Sequence, residues 1–153
     1  MDKQASDTYR DQQVMSASPA ERVAMLYDEA VRALRKTVEA VAEDNIEERW
    51  KANRKVQDIL YHLDDTLNFD EGGDIALNLS RLYRYILRRL IQVDIDNDPA
   101  PAEEAIDLLK PLQNSWRQLA SGKNPAMATA TAGSGSAPRE APRPGSAAIA
   151  ISA

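Results

Sequence analysis

Apolar residues recur along most of this chain at intervals of three and four, the repeat of one face of an α-helix. From Pro19 they fall at Val23, Leu26, Tyr27, Ala30, Leu34, Val38 and Val41, while Glu21, Arg22, Arg32, Arg35, Lys36 and Glu39 lie largely elsewhere. Ser18-Pro19-Ala20-Glu21 supplies the start signal: serine at the N-cap, proline at the first helical position and glutamate three residues after the serine. Asp44-Asn45 marks a turn. A second helix is predicted from about Ile46 to Phe69, with Ile46, Trp50, Val56, Ile59, Leu60, Leu63 and Leu67 inward. The stretch from Asp70 to Asp74, with Gly72-Gly73 inside it, is expected to end that helix, and Asp74 is available to cap the next. The third helix runs from about Asp74 to Asp96. The fourth, about Ala102 to Ala120, presents Ala105, Leu108, Leu109, Leu112, Trp116 and Leu119, and Pro111 inside it is expected to kink it or end its first half. Long helices with short connections predict an all-α fold, an antiparallel up-and-down four-helix bundle.

The third helix carries more apolar surface than a bundle core asks for. Ile75, Leu79, Leu82, Tyr83, Ile86, Leu87, Leu90 and Ile91 spread over roughly half its circumference, wider than the ~100° stripe of a single core face. Leu77 and Tyr85 fall outside even that arc. Ala24, Met25 and Val31 widen the apolar face of the first helix in the same way. Such a surplus implies that the bundle either self-associates or holds a helix of a partner in a groove.

The segments outside the helices read differently. Residues 1–17 form an N-terminal arm, which Tyr9, Val14 and Met15 could pin to the bundle of residues 18–121. Residues 122–153 are rich in Ala, Gly, Pro and Ser with almost no large apolar side chain, so the tail is expected to be disordered.

Charge and chemistry narrow the function. With 19 Lys and Arg against 24 Asp and Glu the formal net charge is -5, which disfavours a nucleic-acid binder. The absence of cysteine removes disulfides, thiolate zinc sites and cysteine nucleophiles. No apolar run approaches the ~20 residues of a membrane span and the N-terminus lacks the apolar core of a secretory signal, so a cytoplasmic protein is expected. A di-metal carboxylate bundle needs Glu-x-x-His pairs, whereas this chain has one histidine, His62, with Asp58 four residues before it. The same histidine would have to serve any Ser-His-Asp triad, and no nucleophile elbow is present. Gly72-Gly73, flanked by Asp70, Glu71 and Asp74, would repel a phosphate. Neither an enzyme nor a cofactor is therefore expected. Arg81, Arg84, Arg88 and Arg89 have two readings: pairing with acids on neighbouring helices, or a positive rim beside a groove that orients a partner.

Several segments together resemble the FliS family of flagellar export chaperones. They are Tyr9 with Gln13-Val14-Met15-Ser16-Ala17-Ser18-Pro19, then Met25-Leu26-Tyr27-Asp28, then Gly72-Gly73-Asp74-Ile75-Ala76 with Asn78-Leu79, Leu82-Tyr83-Arg84-Tyr85 and Arg89-Leu90, and last Trp116 late in the final helix. The match runs from about Tyr9 to Ala120. The resemblance implies a non-catalytic cytoplasmic chaperone that binds the disordered C-terminal region of flagellin, blocks its premature polymerisation and helps deliver it to the gate of the flagellar type III export apparatus through the cytoplasmic domain of FlhA. Carried over residue by residue, it makes Tyr9, Gln13, Val14, Met25, Tyr27, Asp28, Leu79, Leu82, Tyr83, Ile86, Arg89 and Leu90 the candidate partner-binding positions, with Tyr9 the candidate for contact with the gate. Tyr27 and Tyr83 read equally as core aromatics. This chain departs from the family at Glu29, where a glycine is usual, and at Val93-Asp94, where an Ala-Asn pair is common. The alternatives are a helical homodimer formed through the wide apolar face, and a chaperone of the same fold for a different export substrate or regulator.

Overall fold

The structure, a computed structural model, describes residues 5–8 and 16–122. Candidate positions Tyr9, Gln13 and Val14 and the tail from residue 123 lie outside the described residues. Residues 5–8 form an exposed helical turn. Four long helices follow: α1 (Pro19–Ala42), α2 (Ile46–Asp65), α3 (Phe69–Asp96) and α4 (Ala100–Ala120). Each packs on the next, and α4 returns to α1, so the helices form an antiparallel four-helix bundle. No described helix is long and apolar enough to cross a membrane.

Side chains set the helix ends. Ser18 Oγ accepts from the Glu21 backbone N–H at 3.2 Å and Pro19 occupies the first turn, so α1 starts where the capping sequence predicts. After α1, Asp44 takes a left-handed φ of 53° and Asn45 caps α2 by accepting from the Glu48 N–H at 3.2 Å. Asn97, left-handed at φ 51°, closes α3. Asp and Asn enter this region more readily than other residues with a Cβ.

The glycine pair marks a break, as expected, but the second helix has already stopped before it. The second helix ends at Asp65, four residues short of the predicted Phe69, and Asn68 rather than Asp74 caps the third by accepting from the Glu71 N–H at 3.1 Å. Residues Phe69 to Gly72 therefore belong to α3, and Gly73 forms a kink inside it with φ 51° and ψ -126°. A Cβ at Gly73 would meet nothing within 4 Å, so the backbone angle is what favours glycine there. Pro111 also departs from expectation, because α4 continues helically past it to Ala120. Its missing N–H costs one backbone bond, which the packed turns on either side of it outweigh.

All four helices feed one core. Tyr27, Val31 and Leu34 of α1, Val56 and Leu60 of α2, Tyr83, Ile86, Leu90 and Val93 of α3, and Leu109 and Trp116 of α4 are its most buried large side chains. One end of the α2–α3 seam is polar instead. Arg49 Nε donates to Asp94 Oδ1 at 3.1 Å and its Nη1 to Asn97 Oδ1 at 2.6 Å, while Asn53 Nδ2 donates to Asp94 Oδ2 at 2.8 Å and to the Leu90 carbonyl at 2.9 Å. Because Arg49 and Asn53 take the inward positions of this stretch of α2, Ile46 and Trp50, predicted inward, stand in solvent instead. Asp94, one of the departures from the family pattern, is the residue on which this network converges.

Candidate functional site

The partner-binding positions read from the sequence divide sharply. Tyr27, Leu79, Tyr83, Ile86 and Leu90 are buried in the core. A charge introduced at Ile86 would thus report on folding rather than on binding. The wide apolar arc of α3 is largely explained by this burial, since α3 packs between α2 and α4 and needs a broad inward face. Ala24 and Val31 are core residues for the same reason. Met25, Asp28, Leu82 and Arg89 are half-buried, and Leu82 packs against the rim of the core.

The polar members of this set are tied inside the bundle. Asp28 Oδ1 accepts from Gln113 Nε2 at 2.8 Å and from Arg117 Nη2 at 2.7 Å, joining α1 to α4. Arg89 Nε donates to Glu104 Oε1 at 3.2 Å, and the same oxygen accepts from the Tyr85 hydroxyl at 2.8 Å. Of the other arginines of the third helix, Arg84 pairs with Asp64 at 3.3 Å, whereas Arg81 and Arg88 make no ion pair among the described residues. Pairing with acids of neighbouring helices thus holds for Arg84 and Arg89.

Tyr27 and Tyr83 meet across the bundle through their hydroxyls at 2.5 Å, and the Tyr27 ring lies 6.3 Å from that of Trp116. Burial pushes both phenols well above the usual tyrosine range, and for Tyr83 the neighbouring Asp64 carboxylate adds to the effect. The folded chain holds these phenols neutral where the unfolded chain would release their protons near pH 10. Their contribution to stability is therefore fully present below about pH 10 and is lost as the pH rises beyond it. In an alkaline titration followed at 295 nm alongside circular dichroism, Tyr27 and Tyr83 are expected to ionise only as helix is lost. Ionisation of both before unfolding, judged against the Tyr27→Phe and Tyr83→Phe variants, would contradict this arrangement.

Apart from Phe69 at the start of α3 and Tyr85 on its α4 side, the large apolar side chains left open lie on the flank shared by α2 and α3. Ile46, Trp50 and Tyr61 are exposed on α2, with Trp50 at 54 %, and Leu77, Ile91 and Ile95 on α3, with Ile95 at 67 %. On α2 the exposed three follow Asn53 and Asp64 around the helix, and both of those bond to α3. On α3 Leu77, Arg84, Arg88, Ile91 and Ile95 recur at steps of seven, four, three and four, so they share a face. The Arg49–Asp94 and Arg84–Asp64 pairs fix the antiparallel register. That register sets Trp50 near the level of Ile95, Ile46 level with the end of α3, and Tyr61 within one turn of the level of Arg84. Two apolar stripes therefore border one seam, and Arg84 and Arg88 interrupt the α3 stripe between Leu77 and Ile91. Ile46 and Trp50 were expected inward and Ile91 in the wide arc of the third helix; for α2 the signal that could have corrected this was the pair of polar residues, Arg49 and Asn53, on the face that had to be inward.

Among the described residues no group of three or more His, Asp and Glu side chains converges as a metal site. His62 is exposed near the C-terminal end of α2.

The sequence model described as "Flagellar protein FliS" matches residues 1–123. The flagellar secretion chaperone FliS of Salmonella typhimurium strain LT2 is 36% identical over 107 residues, covering 69% of this chain and 79% of that protein. Its counterpart in Vibrio cholerae serotype O1 is 31% identical over 109 residues, covering 71% of this chain and 80% of that protein. The helical architecture is similar to that of a bacterial flagellar chaperone crystal structure, with a TM-score of 0.64, 20% identity and coverage of 80% of this chain and 99% of that one. By that match over most of its length, and by relatives named as secretion chaperones, this chain belongs to the flagellar protein FliS family.

Proposed function

We propose that this protein is a cytoplasmic export chaperone that binds the C-terminal region of flagellin, keeps it from polymerising and helps bring it to the export gate through the cytoplasmic domain of FlhA. The observation that supports client binding most directly is the exposed apolar flank of α2 and α3. Single exposed apolar residues are ordinary, but two aligned stripes of Ile, Trp, Tyr and Leu along one seam offer the i, i+3, i+4, i+7 contacts that an amphipathic partner helix requires. The client segment loses conformational entropy on ordering, offset by apolar burial worth ~25 cal/mol per Å². Arg84 and Arg88 beside the stripes add orientation and association rate more than affinity. No step in this reading involves catalysis, in keeping with relatives that are named as chaperones.

The test is calorimetric titration of the full chain with a synthetic peptide of flagellin's C-terminal region, with helix content followed by circular dichroism. Saturable one-to-one binding, a gain of helix and a negative heat-capacity change are expected. A folded, monomeric sample that does not bind would reject flagellin as the client. A sample that sediments as a tight dimer and does not bind would instead give the apolar flank to a second copy of the chain.

A further inference from the structure

The opposite flank of α2 faces α1 and has a different chemistry. There a cavity of about 150 Å³ opens at the surface, lined by Glu29, Arg32, Ala33 and Lys36 of α1 and by Glu48, Lys51, Ala52 and Lys55 of α2. Small side chains at Ala33 and Ala52, both buried, form its floor and leave room between the helices. The rim is cationic: two positive residues from each helix against two glutamates, in a chain whose overall formal charge is -5.

The ion pairs of the rim are unevenly distributed. Lys55 Nζ lies 2.7 Å from Glu29 Oε1 and Lys51 Nζ lies 3.0 Å from Glu47 Oε1. Arg32 and Lys36 have no carboxylate partner among the described residues, and neither makes a hydrogen bond through its side chain there. They stand four residues apart on α1, so they are neighbours of like charge on one helix face, an arrangement that works against the helix that carries it. Glu29, one residue of the same rim that could relieve them, is already held by Lys55. The face thus offers two unpaired cations one helical turn apart above an open cavity, with the Glu48 carboxylate the one unpaired acid on its α2 side among the described residues.

We propose that this α1–α2 seam is a second docking surface, taking an acidic segment of a protein partner whose carboxylates engage Arg32 and Lys36. Two carboxylates four residues apart on a partner helix match the spacing of this cation pair, since side chains at i and i+4 lie one above the other. A guanidinium and an ammonium differ in what they offer: Arg32 accommodates a bidentate carboxylate and Lys36 a point contact. The surface lies on the side of α2 away from the apolar flank, so occupancy of one leaves the other open. This inference is independent of the identity of the apolar client.

The probe is a fluorescein-labelled, alanine-based helical peptide with a glutamate at every fourth position, titrated with the full chain at low salt and read by fluorescence anisotropy. Saturable binding is expected, with an affinity that falls as salt is raised, because exposed charges are screened. The double variant Arg32→Glu and Lys36→Glu is expected to weaken it at least tenfold while keeping the wild-type circular dichroism. The pair Arg35→Glu and Lys110→Glu, exposed positions outside the cavity that change the net charge equally, is expected to leave binding within twofold. Absence of saturable binding would overturn the proposal, as would equal losses in the two double variants, which would reduce the effect to overall charge. Displacement of the peptide by millimolar inorganic phosphate at matched ionic strength would overturn the assignment to a protein segment and give the cavity to small anions.

Discussion

Trp50→Ala is expected to lower the affinity for the flagellin C-terminal peptide by at least about 30-fold, equivalent to ~2 kcal/mol, the scale of a central aromatic hot spot. The residue is more than half exposed in the free protein, so its truncation removes little core packing. Alanine also favours helix more than tryptophan does, so α2 should keep its length and the unfolding midpoint should stay close to that of the wild type. Adding Ile95→Ala, at the same level of the seam, should weaken binding further. The register brings Ile95 near the level of Trp50, and the two losses are expected to be non-additive, as for residues sharing one contact. Titration calorimetry on both variants and their combination checks this. Wild-type affinity in the folded double variant would move the client away from the α2–α3 flank and back toward the half-buried Met25 and Leu82.

Trp116→Ala should act on stability instead, costing ~3–5 kcal/mol as large buried aromatic deletions do. The indole is fully buried, stacked beside the Tyr27 ring, and stands where α4 closes on α1. Its removal also leaves the Tyr27–Tyr83 hydroxyl pair beside a void. Since a domain of this size is stable by only ~5–15 kcal/mol, the loss takes away a large part of the total. Urea denaturation followed by circular dichroism should show a lower midpoint at unchanged slope. A midpoint within the error of the wild type would mean that α4 is not held through its tryptophan. The two tryptophans thus separate by burial, Trp50 more than half exposed on α2 and Trp116 enclosed in the bundle.

Local signals in the sequence accounted for much of this structure. The helix starts at Pro19 and Ile46, the turn at Asp44-Asn45 and the last helix ending at Ala120 all follow from capping residues and from apolar spacing, whose physics acts within a few residues. The family likeness was legible for a related reason, because short segments kept in order along the chain identify it without any coordinates. The glycine pair did mark a break before the long stretch of the third helix, but the stop of the second helix lies earlier, at Asp65. A left-handed glycine is equally at home after a helix or within a kink, and only the Asn68 cap upstream shows which applies here.

What the sequence determined by itself, then, was the all-helical class, the order and approximate extent of the helices and the family, because each depends on local propensity or on residue identity. Tertiary structure decided which apolar residues are core and which are surface. A helical period gives angles around an axis, but it does not say how wide an arc the neighbours will cover. Packing against two neighbours drew Tyr27, Leu79, Tyr83, Ile86 and Leu90 inside. The network of Arg49, Asn53 and Asp94 turned α2 so that its polar residues face α3 at one end and Trp50 faces outward. Buried polar groups seek partners, and where they find them fixes the rotation of the helix and, with it, which apolar side chains stay at the surface.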